Sequence, residues 1–386
     1  MEAVNTQTNV ITEKPAVSKI AYIDHLKVLC TILVVLHHSF ITYGAPGGWY
    51  YQQKTTLLAA QFPMTVFVTT NQSFFMGFFF FLSALFVGQS YQKKGTAKFV
   101  GDRLKRLVIP MVFYSLILSP ILIYIAQHFG NGNYHSFTEY ISGFHDWIDF
   151  GVMWFVAALV VFNIGYLLYK ALRIRFTFKF GWPSNMQIIG FGILLGILSF
   201  LTRLLFPTGW TLSPLGFQLG YFPQYILLFV AGLVASNNNW LDQLNLKQGK
   251  SMAWFARGMV LLVLPVIFVV FLVLKLPAKN FNGGFNWLAF TYSLWEQVTG
   301  VMIMTALLCI ARYKWNNQTP LLKRMSADAY AVYIFHPLVL ISFSVMLTGW
   351  AVEPALKLFI VAPEAVACSF AFAGLIRKIP GVRDIV

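Results

Sequence analysis

The chain has 386 residues, of which 58% are apolar and only 11% charged, where a soluble domain carries roughly a quarter charged. This composition excludes an ordinary cytosolic enzyme. The formal charge of +15 would suit nucleic acid if the Lys and Arg stood on a soluble module; none is visible, so no nucleic-acid partner is expected.

Residues Met1 to Ser18 are polar, with no apolar stretch or small-residue cleavage site. Residues 1–20 therefore read as a disordered cytosolic tail, and the first apolar run as an uncleaved anchor. A helical span needs about 20 mainly apolar residues to cross the hydrocarbon of a bilayer. Candidate spans follow at Val28 to Tyr43, Phe74 to Ser90, Leu107 to Gln127, Val152 to Tyr169, Met186 to Phe206, Leu219 to Ser236, Phe255 to Leu274, Leu288 to Ala311, Ala329 to Leu347 and Ala355 to Ile376. The fold class is thus an all-α polytopic membrane helix bundle of about ten transmembrane helices, and the lipid bilayer is its first partner. Aromatic residues make up 17% of the chain and include 38 Phe, which suits lipid-facing helices.

The segment Thr55 to Thr70 is apolar but runs into Asn71, Gln72 and Ser73. It is an eleventh span, an interfacial helix or the start of a long second helix. Lys and Arg in short loops collect on the cytosolic side, and this decides the count. With ten spans and both termini in the cytosol, the inside loops hold Lys93, Lys94, Lys98, Arg103, Lys105 and Arg106, then Lys170, Arg173, Arg175 and Lys179, then Lys247, Lys250 and Arg257. The last inside loop adds Arg312, Lys314, Lys323 and Arg324, and the tail at 378–386 follows Arg377. Only Lys54, Arg203, Lys275, Lys279 and Lys357 remain outside. An eleventh span would reverse every later loop, so Thr55 to Thr70 is expected not to cross by itself. The expected location is the cell (inner) membrane.

The longest outside loop, His128 to Phe150, carries His128, His135, Glu139, His145, Asp146 and Asp149 without Lys or Arg. It is either a landing surface for a polar molecule or a solvated loop. The three cysteines, Cys30, Cys309 and Cys368, lie far apart in apolar runs and read as reduced packing residues.

The sharpest feature is Tyr22-Ile23-Asp24-His25-Leu26-Lys27, followed by an apolar run and then His37-His38. At 100° per residue, the step from Lys27 to His38 is about three turns, so Lys27, Thr31 and His38 share a face. His37 is expected to point elsewhere. A rise of about 1.5 Å per residue sets His38 about 16 Å beyond Lys27, near mid-bilayer. An ionisable group at that depth faces the bundle or a wet cavity and is by default functional. Adjacent histidines diverge, unlike the i, i+4 pair of a helical zinc site, so no metal is expected.

A second feature is Lys93-Lys94-Gly95, Lys98 and Asp102-Arg103-Leu104-Lys105-Arg106. Arg103 and Arg106 meet on one helix face and suit phosphates; an anionic lipid surface attracts such a cluster equally well.

These residues resemble acyltransferase family 3, the integral membrane acyltransferases, in particular the branch that includes glucan biosynthesis protein C. That family's first span carries Arg-x10-His, and Lys27 and His38 stand at that spacing. Its aromatic run before Ser-Gly is similar to Phe78-Phe79-Phe80-Phe81-Leu82-Ser83-Ala84, and its Arg-x-x-Arg, attributed to donor handling, matches Arg103 and Arg106. Weaker matches are Trp154-Phe155 and Tyr333-Ile334-Phe335-His336-Pro337. Lys27 replaces Arg and loses the bidentate fork; Ala84 replaces Gly. The resemblance implies one transmembrane domain over 21–377. It also implies acyl-CoA, acetyl-CoA or succinyl-CoA, as cosubstrate, and a hydroxyl of an extracytoplasmic glycan or similar molecule as acceptor.

On this reading His38 is general base or is itself acylated, and Arg103, Arg106 and Lys27 bind the donor. Glu296, inside the eighth span, orients His38 or binds acceptor hydroxyls, or else pairs with Arg203. His336 precedes Pro337, which removes a helix hydrogen bond, and is either a packing residue at a kink or a catalytic one. Asn71, Gln72 and Ser73 cap or interrupt the second helix, or bind sugar. The rival class is a proton-coupled transporter of a polar solute using His38 and Glu296.

Overall fold

In the computed structural model, residues 21–133, 135–173 and 179–386 are described; the expected N-terminal tail and Arg175 lie outside them. Among the described residues, ten helices are long and apolar enough to cross a membrane. We label them α1 (Ala21–Tyr43), α2 (Leu58–Ala84), α3 (Val87–Gly130), α4 (Gly151–Ala171), α5 (Asn185–Leu205), α6 (Leu219–Asn237), α7 (Leu246–Val273), α8 (Trp287–Lys314), α9 (Pro320–Met346) and α10 (Pro354–Ile376). The chain is an all-α, multi-pass membrane bundle.

Several starts follow from local chemistry. Ser184 and Gln187 form a reciprocal capping box at α5, Asn286 accepts from the Ala289 N–H at α8, and Thr319 caps α9 just ahead of Pro320. Each cap supplies an acceptor to a backbone N–H that the helix itself leaves unpaired.

The segment Thr55 to Thr70 does not form a separate crossing. Its helical part, Leu58–Gln72, continues through Ser73 and Phe74 into Phe75–Ala84, giving one long second span. The interruption at Ser73 is satisfied from outside, because Gln224 of α6 donates to the Ser73 carbonyl at 2.6 Å. The next boundary differs from the expected one. The helix runs on past Ser90 and breaks at Gly95, whose φ of 71° and ψ of 172° are non-helical. This is a conformation that only glycine adopts cheaply. Arg103 and Arg106, counted among the residues between the second and third spans, stand on the helix that follows the break.

Packing brings the two ends of the chain together. α1 contacts α9, α10, α8 and α2, while α8 also packs on α5 and α7. The phenylalanine run of α2 supplies a buried aromatic layer: Phe80 lies 4.5 Å from Phe155, 5.0 Å from Phe162 and 5.1 Å from Tyr225 between ring centroids. One face of the bundle carries the start of α1, the end of α8, the start of α9 and the C-terminal residues. There His25 donates to the Trp315 carbonyl at 2.6 Å, Tyr330 to the Arg106 carbonyl at 2.8 Å, and Arg377 pairs with Asp328 at 2.5 Å. It is the basic face. On the opposite face Tyr51 bonds Thr348 at 2.8 Å, and Thr208 N–H donates to the Asn282 carbonyl at 2.7 Å.

Candidate active site

His38 finds its partner in α9. Its Nδ1 lies 3.0 Å from Nε2 of His336, and the two rings lie nearly coplanar, 6° apart, with centroids separated by 5.2 Å. The Nδ1 of His336 lies 2.8 Å from the Tyr333 carbonyl oxygen. A carbonyl only accepts, so His336 carries its proton on Nδ1, and a neutral His336 offers a lone pair at Nε2. His38 Nδ1–H donates to that lone pair. The Nε2 of His38 is left unprotonated, as a base requires. Trp49, from the segment between α1 and α2, stacks on the face of His38 at 3.9 Å. Trp49 and His336 together hold the imidazole plane.

His38 lines a cavity of about 1000 Å³. Its walls include Gln72 of α2, Trp154 of α4, Tyr221 and Tyr225 of α6, Tyr292 of α8 and Tyr333 of α9. Its mouth is framed by Gly44 to Gly48, Lys54, Thr208, Gly209, Ala278, Lys279 and Asn282, all on loops of the face opposite the basic one. Trp154 stacks on Tyr225 at 5.5 Å, and the Tyr333 hydroxyl donates to the Val152 carbonyl. The two weaker sequence motifs thus meet in this wall. His37, expected to point elsewhere, lines the same cavity. The cavity reaches around α1 far enough to take both neighbours, because α2 is interrupted beside it. Asn71, at that interruption, donates through Nδ2 to the Leu33 carbonyl and lies at 3.2 Å from His37 Nδ1 as well.

The other residues singled out from sequence lie apart from His38. Glu296 is fully buried and pairs with fully buried Arg203 at 2.5 Å. Arg203 also donates to the Gly220 carbonyl at 3.2 Å and to Ser293 at 3.1 Å, and its guanidinium stacks 4.8 Å from the Tyr221 ring. Of the three readings of Glu296, the pairing with Arg203 is the one the structure realises. The pair backs the tyrosine wall and does not touch His38. Lys27 sits near the basic end of α1, 3.6 Å from Asp24 and over the Phe86 ring at 4.9 Å. Arg103 is half-buried over Phe99 at 4.7 Å, with Arg106 exposed beside it.

The loop His128 to Phe150 contributes none of its acidic or histidine side chains to the cavity. Asp149 is engaged in tying α3 to α4, accepting from Ser119 at 3.1 Å and from the Gly151 N–H at 2.9 Å. Tyr50, beside Trp49, bonds Tyr114 at 2.9 Å, and burial pushes its phenol up from the ordinary value. It stays protonated. Among the described residues, no group of three or more His, Cys, Asp or Glu is placed to hold a metal ion.

The acyltransferase 3 family model, described as an acyltransferase domain, matches residues 20–374. The chain belongs to the acyltransferase 3 family. It is therefore an acyltransferase, and the transporter reading is set aside. No curated protein and no solved structure matches it. In this acyltransferase 3 protein, Lys27, Arg103 and Arg106 are placed towards the basic face, and His38 deep in a cavity that opens on the other. His336, read from the sequence as a packing or a catalytic residue, is the partner of His38. The signal was present in the run Tyr333 to Pro337, but nothing in a linear sequence sets it beside His38, 298 residues away.

Proposed function

We propose that the protein moves an acyl group, acetyl or succinyl, from a cytosolic acyl-CoA to a hydroxyl of an extracytoplasmic glycan or similar acceptor. It does so in the cell inner membrane, with both termini in the cytosol. The observation that carries this reading is the fixed His38 and His336 pair, presenting an imidazole lone pair to a cavity entered from the face poor in basic residues. The acceptor enters there, among Trp154, Tyr221, Tyr225 and Gln72, aromatic faces and an amide that suit a polar ring bearing hydroxyls. Positive loops favour the cytosol, which sets Arg103, Arg106 and Lys27 where coenzyme A phosphates are found.

In the reaction, His38 Nε2 accepts the acceptor hydroxyl proton as its oxygen attacks the thioester carbonyl carbon. The tetrahedral centre collapses, the carbon–sulfur bond breaks, and the coenzyme A thiolate takes the proton back from His38. His336 keeps the imidazole in the tautomer this step needs. Arg203 and Glu296 hold the tyrosine wall from behind.

The test uses inverted membrane vesicles given labelled acetyl-CoA or succinyl-CoA. Wild type carries label to a luminal acceptor, and His38→Ala, inserted at normal levels, loses about 10²-fold or more, the scale of general-base catalysis. Near-normal transfer by His38→Ala refutes the assignment.

A further inference from the structure

Two adjacent histidines of α1 line one cavity, and their hydrogen bonds fix them in opposite tautomers. We propose that His37 is a second catalytic residue, its Nε2–H donating to the acyl carbonyl oxygen while His38 takes the acceptor's proton. The proposal rests on the general-base reading of His38 given above.

Asn71 sets the tautomer of His37. Its Nδ2 lies 3.2 Å from the Leu33 carbonyl oxygen, and a carbonyl oxygen accepts only, so the amide nitrogen, not the amide oxygen, points towards α1. The same Nδ2 lies 3.2 Å from Nδ1 of His37. An amide nitrogen has two hydrogens, one for each partner. His37 Nδ1 is therefore the acceptor, and the neutral ring carries its hydrogen on Nε2. His38 is held the other way round: its Nδ1 donates to His336 and its Nε2 is bare. Among the described residues, the hydrogen bonds to His37 fall on Nδ1 alone. The donor end of the ring is thus left for the cavity that His37 lines. Phe75 stacks on the ring at 4.9 Å and holds its plane.

The separation suits a shared reacting carbon. The two ring centroids are 5.7 Å apart, with the rings edge to face at 83°. Two hydrogen bonds of about 2.9 Å each, one to each of two oxygens on the same carbon, bridge such a gap. The step balances as follows. The acceptor O–H bond breaks and its proton goes to His38 Nε2; the new oxygen–carbon bond forms. The carbonyl π pair moves onto oxygen, where His37 Nε2–H meets the developing charge. When that pair returns, the carbon–sulfur bond breaks and the thiolate leaves with the proton from His38. A donor aimed at the charge that develops in the transition state accelerates the step more than it tightens binding.

The experiment compares His37→Phe, His37→Gln, Asn71→Asp and His38→Ala in the full-length protein in inverted vesicles. His37→Phe keeps a ring against Phe75 but has no donor, and its kcat should fall by about 10²-fold to 10³-fold, the cost of removing one such donor, with little change in KM for acyl-CoA. His37→Gln retains an N–H and should restore a large part of the rate. Asn71→Asp only accepts, draws the hydrogen of His37 onto Nδ1 and should reproduce the loss. Nitrogen-15 NMR of histidine-labelled wild type should show His37 protonated at Nε2 and His38 at Nδ1, independently of any rate. Unchanged kcat in His37→Phe beside an inactive His38→Ala overturns the role of His37 alone, as does the same tautomer at both rings. Transfer by His38→Ala at the wild-type rate overturns the base assignment and this proposal with it.

Discussion

Arg203 and Glu296 stand at 2.5 Å with neither side chain exposed to any measurable degree. Removing one partner leaves a bare charge among neutral groups. In Glu296→Leu the guanidinium keeps only the Gly220 carbonyl and Ser293 as hydrogen-bond partners, and neither offsets a full charge. Truncating one half of such a pair costs about 3–5 kcal/mol, and Arg203→Leu, which strands the Glu296 carboxylate with Gln297 at 3.0 Å, should cost the same order. The double variant Arg203→Leu/Glu296→Leu buries no charge. It should be less destabilised than the sum of the single variants by about 2–3 kcal/mol, the upper range of measured pair couplings. The assay is reversible unfolding in detergent micelles, run as a double-mutant cycle. Equal, additive losses would refute a mutually dependent buried pair. The cycle also decides between two roles for Glu296. If the double variant recovers both stability and acyl transfer, the carboxylate supports the tyrosine wall. If it recovers stability with transfer abolished, Glu296 acts on the reaction itself.

Two further outcomes follow from the packing and the charge asymmetry. A Cβ on Gly192 of α5 would meet the Val298 Cα at 2.9 Å and the Val301 side chain at 2.8 Å, so Gly192→Leu forces α5 from α8 and should cost about 1–3 kcal/mol. Gly165→Leu, with nothing within 4 Å, is the control, and equal thermal stability of the two variants contradicts the tight α5 and α8 contact. For the orientation, a membrane-impermeant thiol reagent applied to intact cells should label Asn133→Cys and spare Lys93→Cys. The reverse pattern inverts the whole assignment of donor and acceptor faces.

Much of the bundle is legible in the sequence because lipid imposes a simple rule. Each crossing needs a long apolar run, and the basic loops then fix the order of faces. The same arithmetic excluded a separate crossing by the segment before Asn71, which the structure then makes the start of a long second span. It could not find the break at Gly95, since Lys93, Lys94 and Lys98 look like a loop whether or not the helix continues through them. The helical angle singled out the face of α1 on which His38 meets His336. It failed for His37, because the width of a cavity depends on neighbouring helices and not on the helix that carries the residue. Arg203 counted in sequence among the outside basic residues and is fully buried instead, and only the packing of α9 against α1 and of α5 against α8 turns His336 and Arg203 each into half of a pair. Lys357 gives the same lesson: fully buried within α10, it is satisfied by Gln53 at 2.9 Å and the Leu347 carbonyl at 2.7 Å, two acceptors from other segments.

The strap between α1 and α2 has a consequence for how the protein is made. It brings Trp49 onto His38, and it is fastened to the far end of the chain: Tyr51 to Thr348, Gln53 to Lys357 and Thr55 to Glu353. Lys27, His38, the phenylalanine run and Arg103 and Arg106 all leave the ribosome early, yet the histidine has neither its fastened stacking roof nor its tautomer-setting partner until α9 and α10 are in the bilayer. A nascent chain halted before Pro320 carries the early motifs without the His38 and His336 pair. On the proposed mechanism, insertion of the final two helices completes the base, and chains halted short of them are expected to transfer no acyl group.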